Sequence, residues 1–284
     1  MSGLRQKPTP GWLPFVPAAW LVVFFLVPFA IMLTVSVAHR VQGGFYEPGF
    51  EFDSYMRFFS VFFGRILLTS VLISVGAAVI CVLLAFPFTL GLARMKKRGQ
   101  TLVLVILLSV LSLSEVIIGF SLSTLLSKTA GIGNLFAALG VIEESRAYTP
   151  SLFALMAGMC YLALPYSVLV LYPPVSRLDP ELGEAARMMG ASPFQAFRTV
   201  TVPMLRKPMM GALILVFVFT LGIYLLPQVL GQPQHWTLSV HITDQAIFQS
   251  NLPFAAAMAV LLLLVSLAMV GLSLLLGRDK GDQA

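Results

Sequence analysis

Apolar and polar segments alternate along the chain, and six of the apolar segments are long enough to cross a lipid bilayer. A helix needs about 20 apolar residues to span the hydrocarbon core, and only helices and closed barrels satisfy their backbone hydrogen bonds there. We therefore predict an all-α integral membrane protein, with six transmembrane helices in a single transmembrane domain over residues 1–284. The predicted spans cover about residues 13–38, 66–93, 101–126, 151–172, 209–230 and 253–276.

The first apolar segment, residues 13–38, has a secretory signal peptide as its alternative interpretation. Its last residues, Ser36, Val37 and Ala38, loosely resemble a cleavage site. However, the segment is about twice as long as the 7–15 apolar residues of a signal core. We therefore expect a first transmembrane helix.

The polar segment between the fourth and fifth spans, residues 173–207, carries strong helix signals although it is too polar for the bilayer. Asp179 can cap a helix that begins with Pro180, because the missing N–H of proline is not needed there. Gly190 can end this helix in a left-handed conformation. Ser192 and the proline after it repeat the start signal. We predict a helix, a sharp turn and a second helix, which together face a partner.

Composition supports a membrane protein, since 58% of the residues are hydrophobic and only 11% are charged. Soluble domains carry about 25% charged residues. The formal charge is +6, and thirteen of the 18 lysines and arginines fall on the side that holds both termini and residues 173–207. The positive-inside rule places that side in the cytoplasm. The positive charge is thus a topology signal, and it does not indicate nucleic-acid binding.

The sequence has no pattern typical of a catalytic, metal or nucleotide site. It contains neither a G-x-x-x-x-G-K-[ST] phosphate loop nor a G-x-S-x-G nucleophile turn. His235, His241 and Asp244 come nearest to a metal site, and we interpret them as solvated loop residues. Cys81 and Cys160 lie in apolar segments and are interpreted as buried thiols without a disulfide. Any use of nucleotide energy would therefore require another subunit.

The polar segment resembles the EAA loop of binding-protein-dependent ABC importer permeases. The pattern of that loop is Glu-Ala-Ala, three residues, Gly, nine residues, Ile, one residue and Leu-Pro. This sequence meets the spacing with Glu184-Ala185-Ala186, Gly190, Val200 and Val202-Pro203. The two valines replace the usual Ile and Leu and keep apolar side chains at these positions. The segment also precedes the penultimate span, where the family has this loop.

This resemblance implies a permease subunit of a type I ABC importer, with no enzymatic activity and no cofactor of its own. Two cytoplasmic ATPase subunits would bind ATP and Mg²⁺ and would dock on the EAA loop. The residues implied in this coupling are Glu184, Ala185, Ala186, Arg187, Gly190, Ser192, Pro193, Val202 and Pro203. A second permease subunit, homologous or identical, and an extracytoplasmic substrate-binding protein would complete the assembly in a bacterial inner membrane.

Weaker similarities favour the spermidine/putrescine branch of this family. They lie in residues 131–134, 164–166 and 222–231. This branch implies a small cationic substrate such as a polyamine, which would be moved by alternating access. Similar patterns occur in permeases for ferric iron, thiamine and phosphonates, and these substrates remain alternatives. A stand-alone secondary transporter is disfavoured, because the sequence shows no convincing internal repeat.

Candidate residues for a transport path lie within the predicted spans. Glu115 is the only acidic residue well inside a span, where an unpaired carboxylate costs about 2.5–3.5 kcal/mol. It could line the path and favour a cation, or it could make a structural hydrogen bond within the permease pair, protonated or near an interface. Pro165 and Pro227 are expected to interrupt their helices and to free carbonyl groups. The polar candidates near them are Tyr161, Tyr166, Tyr224 and Gln228, although tyrosines near span ends are also ordinary interface anchors.

Overall fold

The computed structural model describes residues 15–41, 44–129, 131–140, 144 and 146–276. The predicted start of the first span, at residue 13, and both termini lie outside these ranges. Within these ranges the chain is helical, and its β-structure is limited to an isolated antiparallel bridge between His39 and Glu47. The predicted all-α class is confirmed.

The described residues form fourteen α-helices, numbered in chain order. Helices α1 to α7 are Phe15–Ser36, Asp53–Phe58, Val61–Ala93, Lys97–Leu111, Glu115–Leu125, Ile132–Ala138 and Leu152–Ser176. Helices α8 to α14 are Pro180–Met188, Pro193–Ala196, Val202–Met204, Arg206–Gly222, Leu225–Leu230, Leu238–Thr243 and Leu252–Leu276. Single π-helical turns occupy Phe197–Thr201 and Asp244–Phe248, and a 3₁₀ turn covers Pro233–His235.

Membrane-crossing segments are identified by their length and hydropathy. In the described chain, four helices qualify alone: Ala18–Ser36, Val61–Ala93, Leu152–Ser176 and Leu252–Ser273. Two further pairs qualify only together: α4 with α5, bent by 95°, and Pro193–Met204 with α11, bent by 65°. By length and composition, the described chain therefore has four candidate spans, or up to six if each bent pair is one span. The predicted number of six is the upper limit of this range.

The predicted third span, residues 101–126, is divided into two helices. Helix α4 ends at Leu111 and α5 begins at Glu115. Between them, Ser114 has an extended backbone, and its side chain accepts a hydrogen bond from the amide of Val116 at 3.1 Å. Serine favours such capping positions over helix interiors. Local hydrogen bonding thus starts a new helix where hydropathy alone indicates a continuous one.

The predicted fifth span, residues 209–230, is divided as well. Helix α11 ends at Gly222, Ile223 is extended with ψ 130°, and α12 begins at Leu225. We expected the break at Pro227, but Pro227 lies inside a helix, as the third residue of α12. A missing N–H in the first turn removes no intrahelical hydrogen bond.

Pro165 does not interrupt its helix either. It lies inside α7, which continues past it to Ser176. The fourth span is therefore one long helix, and the breaks that matter are in α4–α5 and α11–α12.

Helices α3, α7 and α11 form the packed centre of the described structure. Small residues of α3 are completely buried in the clusters that α3 shares with α7: Ala77, Ala78, Cys81 and Ala85. Small side chains let helices approach closely in a membrane, where no hydrophobic force between helices is available. This close packing gives the shorter helices a firm support.

Helix α1 lies at the periphery and packs mainly against α14. Only 6% of its most apolar window is buried within the chain. Its exposed side chains, which include Trp20 and Phe25, are the kind that contact lipid. The expected partnership with a lipid bilayer follows directly from this surface.

Candidate functional site

The segment between α7 and α11 folds into a capped helical hairpin, residues 179–204, called the hairpin below. At its start, the Asp179 side chain accepts a hydrogen bond from the amide of Glu181 at 3.0 Å. Pro180 is the first helical residue, and Glu181 places a negative charge at the positive end of α8. The predicted start of this helix is confirmed.

The turn of the hairpin depends on Gly190, whose φ is +93°. The amide of Gly190 donates to the carbonyl oxygen of Arg187 at 3.0 Å, and the amide of Ala191 donates to that of Ala186 at 3.1 Å. These two bonds form a Schellman motif, which satisfies the last carbonyl groups of a helix. The predicted left-handed glycine at the end of the helix is confirmed.

The second half of the hairpin begins with a reciprocal cap. The amide of Gln195 donates to the Ser192 hydroxyl at 3.2 Å, and the Gln195 side-chain oxygen accepts from the Ser192 amide at 2.9 Å. Pro193 is the first helical residue of α9. A π-helical turn follows, and α10 then carries Val202 and Pro203. The hairpin thus has hydrogen bonds that hold its shape independently of a partner.

One face of the hairpin is attached to the membrane helices. Ala186 and Ala196 are 8% and 5% exposed. The Phe197 ring packs against Phe86 of α3 with ring centroids 5.8 Å apart, and Leu205 just beyond the hairpin is buried in the same cluster. These contacts attach the hairpin to α3, α7 and α11.

The other face of the hairpin is apolar and open. Met188, Met189 and Phe194 are 90%, 84% and 70% exposed, and Leu182 and Ala185 are also exposed. Exposed apolar side chains gathered on one element are typical of a protein-binding surface. This arrangement is what a docking element requires.

Glu184 and Arg187 lie on a third side of the hairpin, where they line a cavity of about 690 Å³ against the end of α3. Arg94, the residue directly after α3, lines the same cavity. Within the described residues, no salt bridge joins these three side chains. Their charges are therefore available to a partner.

A second cavity, of about 410 Å³, lies where the two divided helices break, and we call it the break cavity. Its lining residues are Leu111, Leu113, Glu115, Leu162, Tyr166, Phe219, Gly222 and Ile223. The ring centroids of Tyr166 and Phe219 are 4.6 Å apart. The break cavity therefore combines one carboxylate with an aromatic wall.

Glu115 has a second contact that sequence reasoning left open. Its Oε1 atom accepts hydrogen bonds from the amides of Leu225 and Leu226, at 2.9 and 3.0 Å. These amides are two of the unpaired donors at the start of α12. Glu115 thus lines the break cavity and also accepts two hydrogen bonds from its own chain, whereas the expected alternative was a structural hydrogen bond within the permease pair.

The other path candidates lie outside the lining of the break cavity. Tyr161 is exposed on α7. Tyr224 is exposed directly before α12, and Gln228 is exposed within α12. The structure brings together Glu115 and Tyr166 among the five candidates.

The histidines and cysteines form no metal site in the described part of the chain. No group of three metal-ligating side chains was found there. His241 is half-buried, with the Phe62 and Trp236 rings at 6.1 and 6.2 Å, so its interpretation as a solvated residue is wrong. Burial lowers the pKa of His241, and Asp244 partly opposes this. Cys81 and Cys160 are free thiols.

Helix breaks beside a cavity, long apolar helices and a capped hairpin between two of them are features of polytopic membrane transport proteins. The family model described as "Binding-protein-dependent transport system inner membrane component" matches residues 67–280. Because this match covers more than half of the chain, the chain belongs to that family. It is a permease subunit of an ABC importer and a multi-pass protein of the inner membrane.

Individual relatives agree with this membership. The chain is 28% identical over 248 residues to the spermidine/putrescine transport system permease protein PotB of Escherichia coli strain K12, covering 87% of this chain and 90% of PotB. A bacterial ABC transporter involved in the import of the acidic polysaccharide alginate has a TM-score of 0.74 and 19% identity, covering 95% of this chain and 96% of that one.

A structure of a bacterial alginate transporter in complex with its pentasaccharide-bound periplasmic protein has a TM-score of 0.74 and 17% identity, covering 92% of this chain and 91% of that one. Because these sequence identities are low, the two structural similarities are evidence for the fold alone.

Sequence reasoning missed the break cavity and the contact between Glu115 and α12. The break beside this cavity could have been found in the sequence, because Ser114 followed by Glu115 is the same kind of helix start as Asp179 with Pro180. The contact of Glu115 with α12 joins residues that are 110 positions apart, and no local sequence pattern specifies it.

Proposed function

We propose that the hairpin is the element on which a cytoplasmic ATPase subunit docks, and that the importer carries a polyamine. The open apolar face of Met188, Met189 and Phe194 carries the first part of this proposal. A membrane protein that folds such a face outside its apolar helices requires a partner to cover it. ATP and Mg²⁺ would be bound by that partner, in two copies per assembly.

The residues of the EAA pattern fit this role in different ways. Ala185 is small and exposed, so a partner surface can approach α8 closely. Glu184 and Arg187 offer charges with no ion pair among the described residues. Gly190 and Ser192 hold the shape of the hairpin, while Pro193, Val202 and Pro203 continue it toward α11.

Orientation follows from the distribution of positive charge. The lysines and arginines concentrate on the side of the hairpin, which supports a cytoplasmic hairpin and cytoplasmic termini. The opposite side, which includes α2 and α13, would then face a substrate-binding protein. A second permease subunit, identical or homologous, would complete the membrane part.

Transport would proceed by alternating access. ATP binding draws the two ATPase subunits together, and each hairpin follows the subunit on which it docks. Because Phe197 and Leu205 tie the hairpin to the packed helices, its movement becomes a rigid rotation of those helices. The break cavity then opens alternately to the two sides of the membrane.

The break cavity supports a cationic substrate. An ammonium group is attracted by a carboxylate and by the face of an aromatic ring, and Glu115 and Tyr166 supply both. The substrate in the name of PotB, spermidine or putrescine, has this chemistry. Tyr161, Tyr224 and Gln228 would lie along the route outside the cavity.

The substrate is tested by competition in cells that depend on this importer. Unlabelled putrescine and spermidine are expected to compete with labelled spermidine, whereas ferric iron, thiamine and a phosphonate are expected to leave its uptake unchanged. Uptake of one of the last three substrates, without any uptake of spermidine, would show that the substrate is wrong while leaving the importer class intact.

A further inference from the structure

The two divided helices of this chain meet at a single carboxylate. Glu115 is the first residue of α5, and its Oε1 accepts hydrogen bonds from the first two amides of α12. The amino-terminal ends of α5 and α12 are therefore held together. Unpaired amides at a helix start need such an acceptor when water is excluded.

The carboxyl-terminal ends of the same two helices are also tied to a common segment. The amide of Tyr148 donates to the carbonyl oxygen of Leu126, just after α5, at 2.9 Å. The amide of Ser151 donates to the carbonyl oxygen of Leu230, the last residue of α12, at 2.9 Å. Both donors lie in residues 148–151, directly before α7.

Between their ends, α5 and α12 pack closely. A Cβ atom added at Gly119 would lie 3.4 Å from Cδ2 of Leu226, which is ordinary van der Waals contact, so the two helices lie side by side at this point. Ile118 and Leu226 are buried in the same cluster. The two short helices therefore pack directly against each other.

Both helices are separated from the longer helices before them by non-helical residues. These are Ser112–Ser114 between α4 and α5, and Ile223–Tyr224 between α11 and α12. Leu113 from the first break and Ile223 from the second line the break cavity. A rotation at these breaks would change the shape of the cavity without unwinding either helix.

We propose that Glu115 is a positioning residue that joins α5 and α12 into one unit, and that this unit turns at the two breaks to open and close the break cavity. The inference deepens the proposed function, because it rests on transport through that cavity. It assigns to Glu115 a role as hydrogen-bond acceptor that is separate from its negative charge.

Acceptor and charge can be separated by substitution. In Glu115→Gln the side-chain oxygen still accepts from the Leu225 and Leu226 amides, whereas the negative charge is lost. In Glu115→Ala both are lost. In the complete transporter, Glu115→Gln is expected to keep most of the maximal uptake rate with a raised KM for spermidine. Glu115→Ala is expected to lose about tenfold or more of the maximal rate and to hydrolyse more ATP per substrate molecule imported.

Two outcomes of this comparison overturn the proposal. One is a maximal rate in Glu115→Gln as low as in Glu115→Ala, which would mean that only the charge matters. The other is a maximal rate in Glu115→Ala equal to that of the unaltered protein. Size-exclusion chromatography of the assembled complex identifies a variant that fails to fold.

A distance measurement tests the proposal without altering Glu115. Spin labels are placed at Phe120 on α5 and Gln228 on α12, which are both exposed, in a chain with Ala at Cys81 and Cys160. Their separation is expected to be the same in the resting complex and in the complex trapped with ATP and vanadate. A control pair at Val105 on α4 and Phe120 spans the first break, and its separation is expected to change.

A changed distance between α5 and α12 on trapping overturns the proposal, as does an unchanged distance across the break. These distances need only nucleotide and not the transported substrate. A transporter that fails to import spermidine but gives the expected distances would contradict the proposed substrate and support the joined unit.

Discussion

The amide of Ala191 donates a hydrogen bond to the carbonyl oxygen of Ala186 at 3.1 Å, across the turn that Gly190 makes with a φ of +93°. This bond closes α8 and sets the direction in which α9 leaves. The orientation of Met188 and Met189 relative to Phe194 therefore depends on one backbone conformation, which most residues adopt at a cost of about 1–2 kcal/mol.

Gly190→Ala is expected to weaken the hairpin by about 1–2 kcal/mol and to lower ATPase copurification and uptake together. A Cβ at Gly190 would meet nothing within 4 Å, so the cost comes from the backbone alone. Gly183→Ala is the matched control, because a Cβ there also meets nothing within 4 Å and the residue lies inside α8. Equal loss in both variants would contradict the importance of the left-handed turn.

Met188→Asp and Met189→Asp are expected to reduce the copurified ATPase by about tenfold or more. Each places a charge on the open apolar face, where a docked partner would have to remove its water. Met95→Asp is the control, since Met95 is also exposed but lies between α3 and α4 and not on the hairpin. Normal ATPase recovery with both hairpin variants would show that docking takes place elsewhere.

Much of the hairpin could be predicted from the sequence, because its determinants are local. The hydrogen bonds and the turn that shape it involve residues only a few positions apart. The structure has the predicted roles for Asp179, Gly190 and Ser192. The break between α4 and α5 was not predicted, because hydropathy averaged over a long window does not detect the cap at Ser114. A break in the fifth predicted span was expected at Pro227, and the structure has it at Ile223–Tyr224. The contact of Glu115 with Leu225 depends on tertiary packing, and no spacing along the chain specifies it.

Tyr166→Leu is expected to raise the KM for spermidine by about twofold to 30-fold, which corresponds to loss of a cation–π attraction of about 0.5–2 kcal/mol. Tyr166→Phe keeps the ring and its contact with Phe219, so its KM should stay close to that of the unaltered protein. Saturation kinetics of uptake measure both. A higher KM in Tyr166→Phe than in Tyr166→Leu would assign the effect to the hydroxyl group and not to the ring.

The loop after α1 is expected to open on acidification. His39 Nδ1 lies 2.7 Å from Glu51 Oε2, and this hydrogen bond lowers the pKa of Glu51 below its ordinary value of 4.5. A lowered carboxyl pKa stabilises the folded loop above the ordinary value, and the stabilisation is lost as the pH falls through the lowered value. Asp53 acts in the opposite direction, because its hydrogen bond with Glu51 raises its pKa.

Hydrogen exchange of the His39 and Glu47 amides measures this opening, because these two groups close the bridge at 3.0 and 3.1 Å. After correction for intrinsic exchange rates, their protection should fall as the pH drops below 4.5. Glu51→Gln should remove most of this pH dependence. An unchanged dependence in that variant would assign it to other groups.

The central claim is that ATP hydrolysis, received through the hairpin, drives polyamine import through this chain. Labelled spermidine uptake by proteoliposomes containing this chain, its partner permease, the ATPase and the binding protein measures it most directly. We expect accumulation with ATP, none with a non-hydrolysable analogue, and little when Met188→Asp and Met189→Asp are combined. Accumulation of spermidine that continues without ATP hydrolysis would contradict the claim.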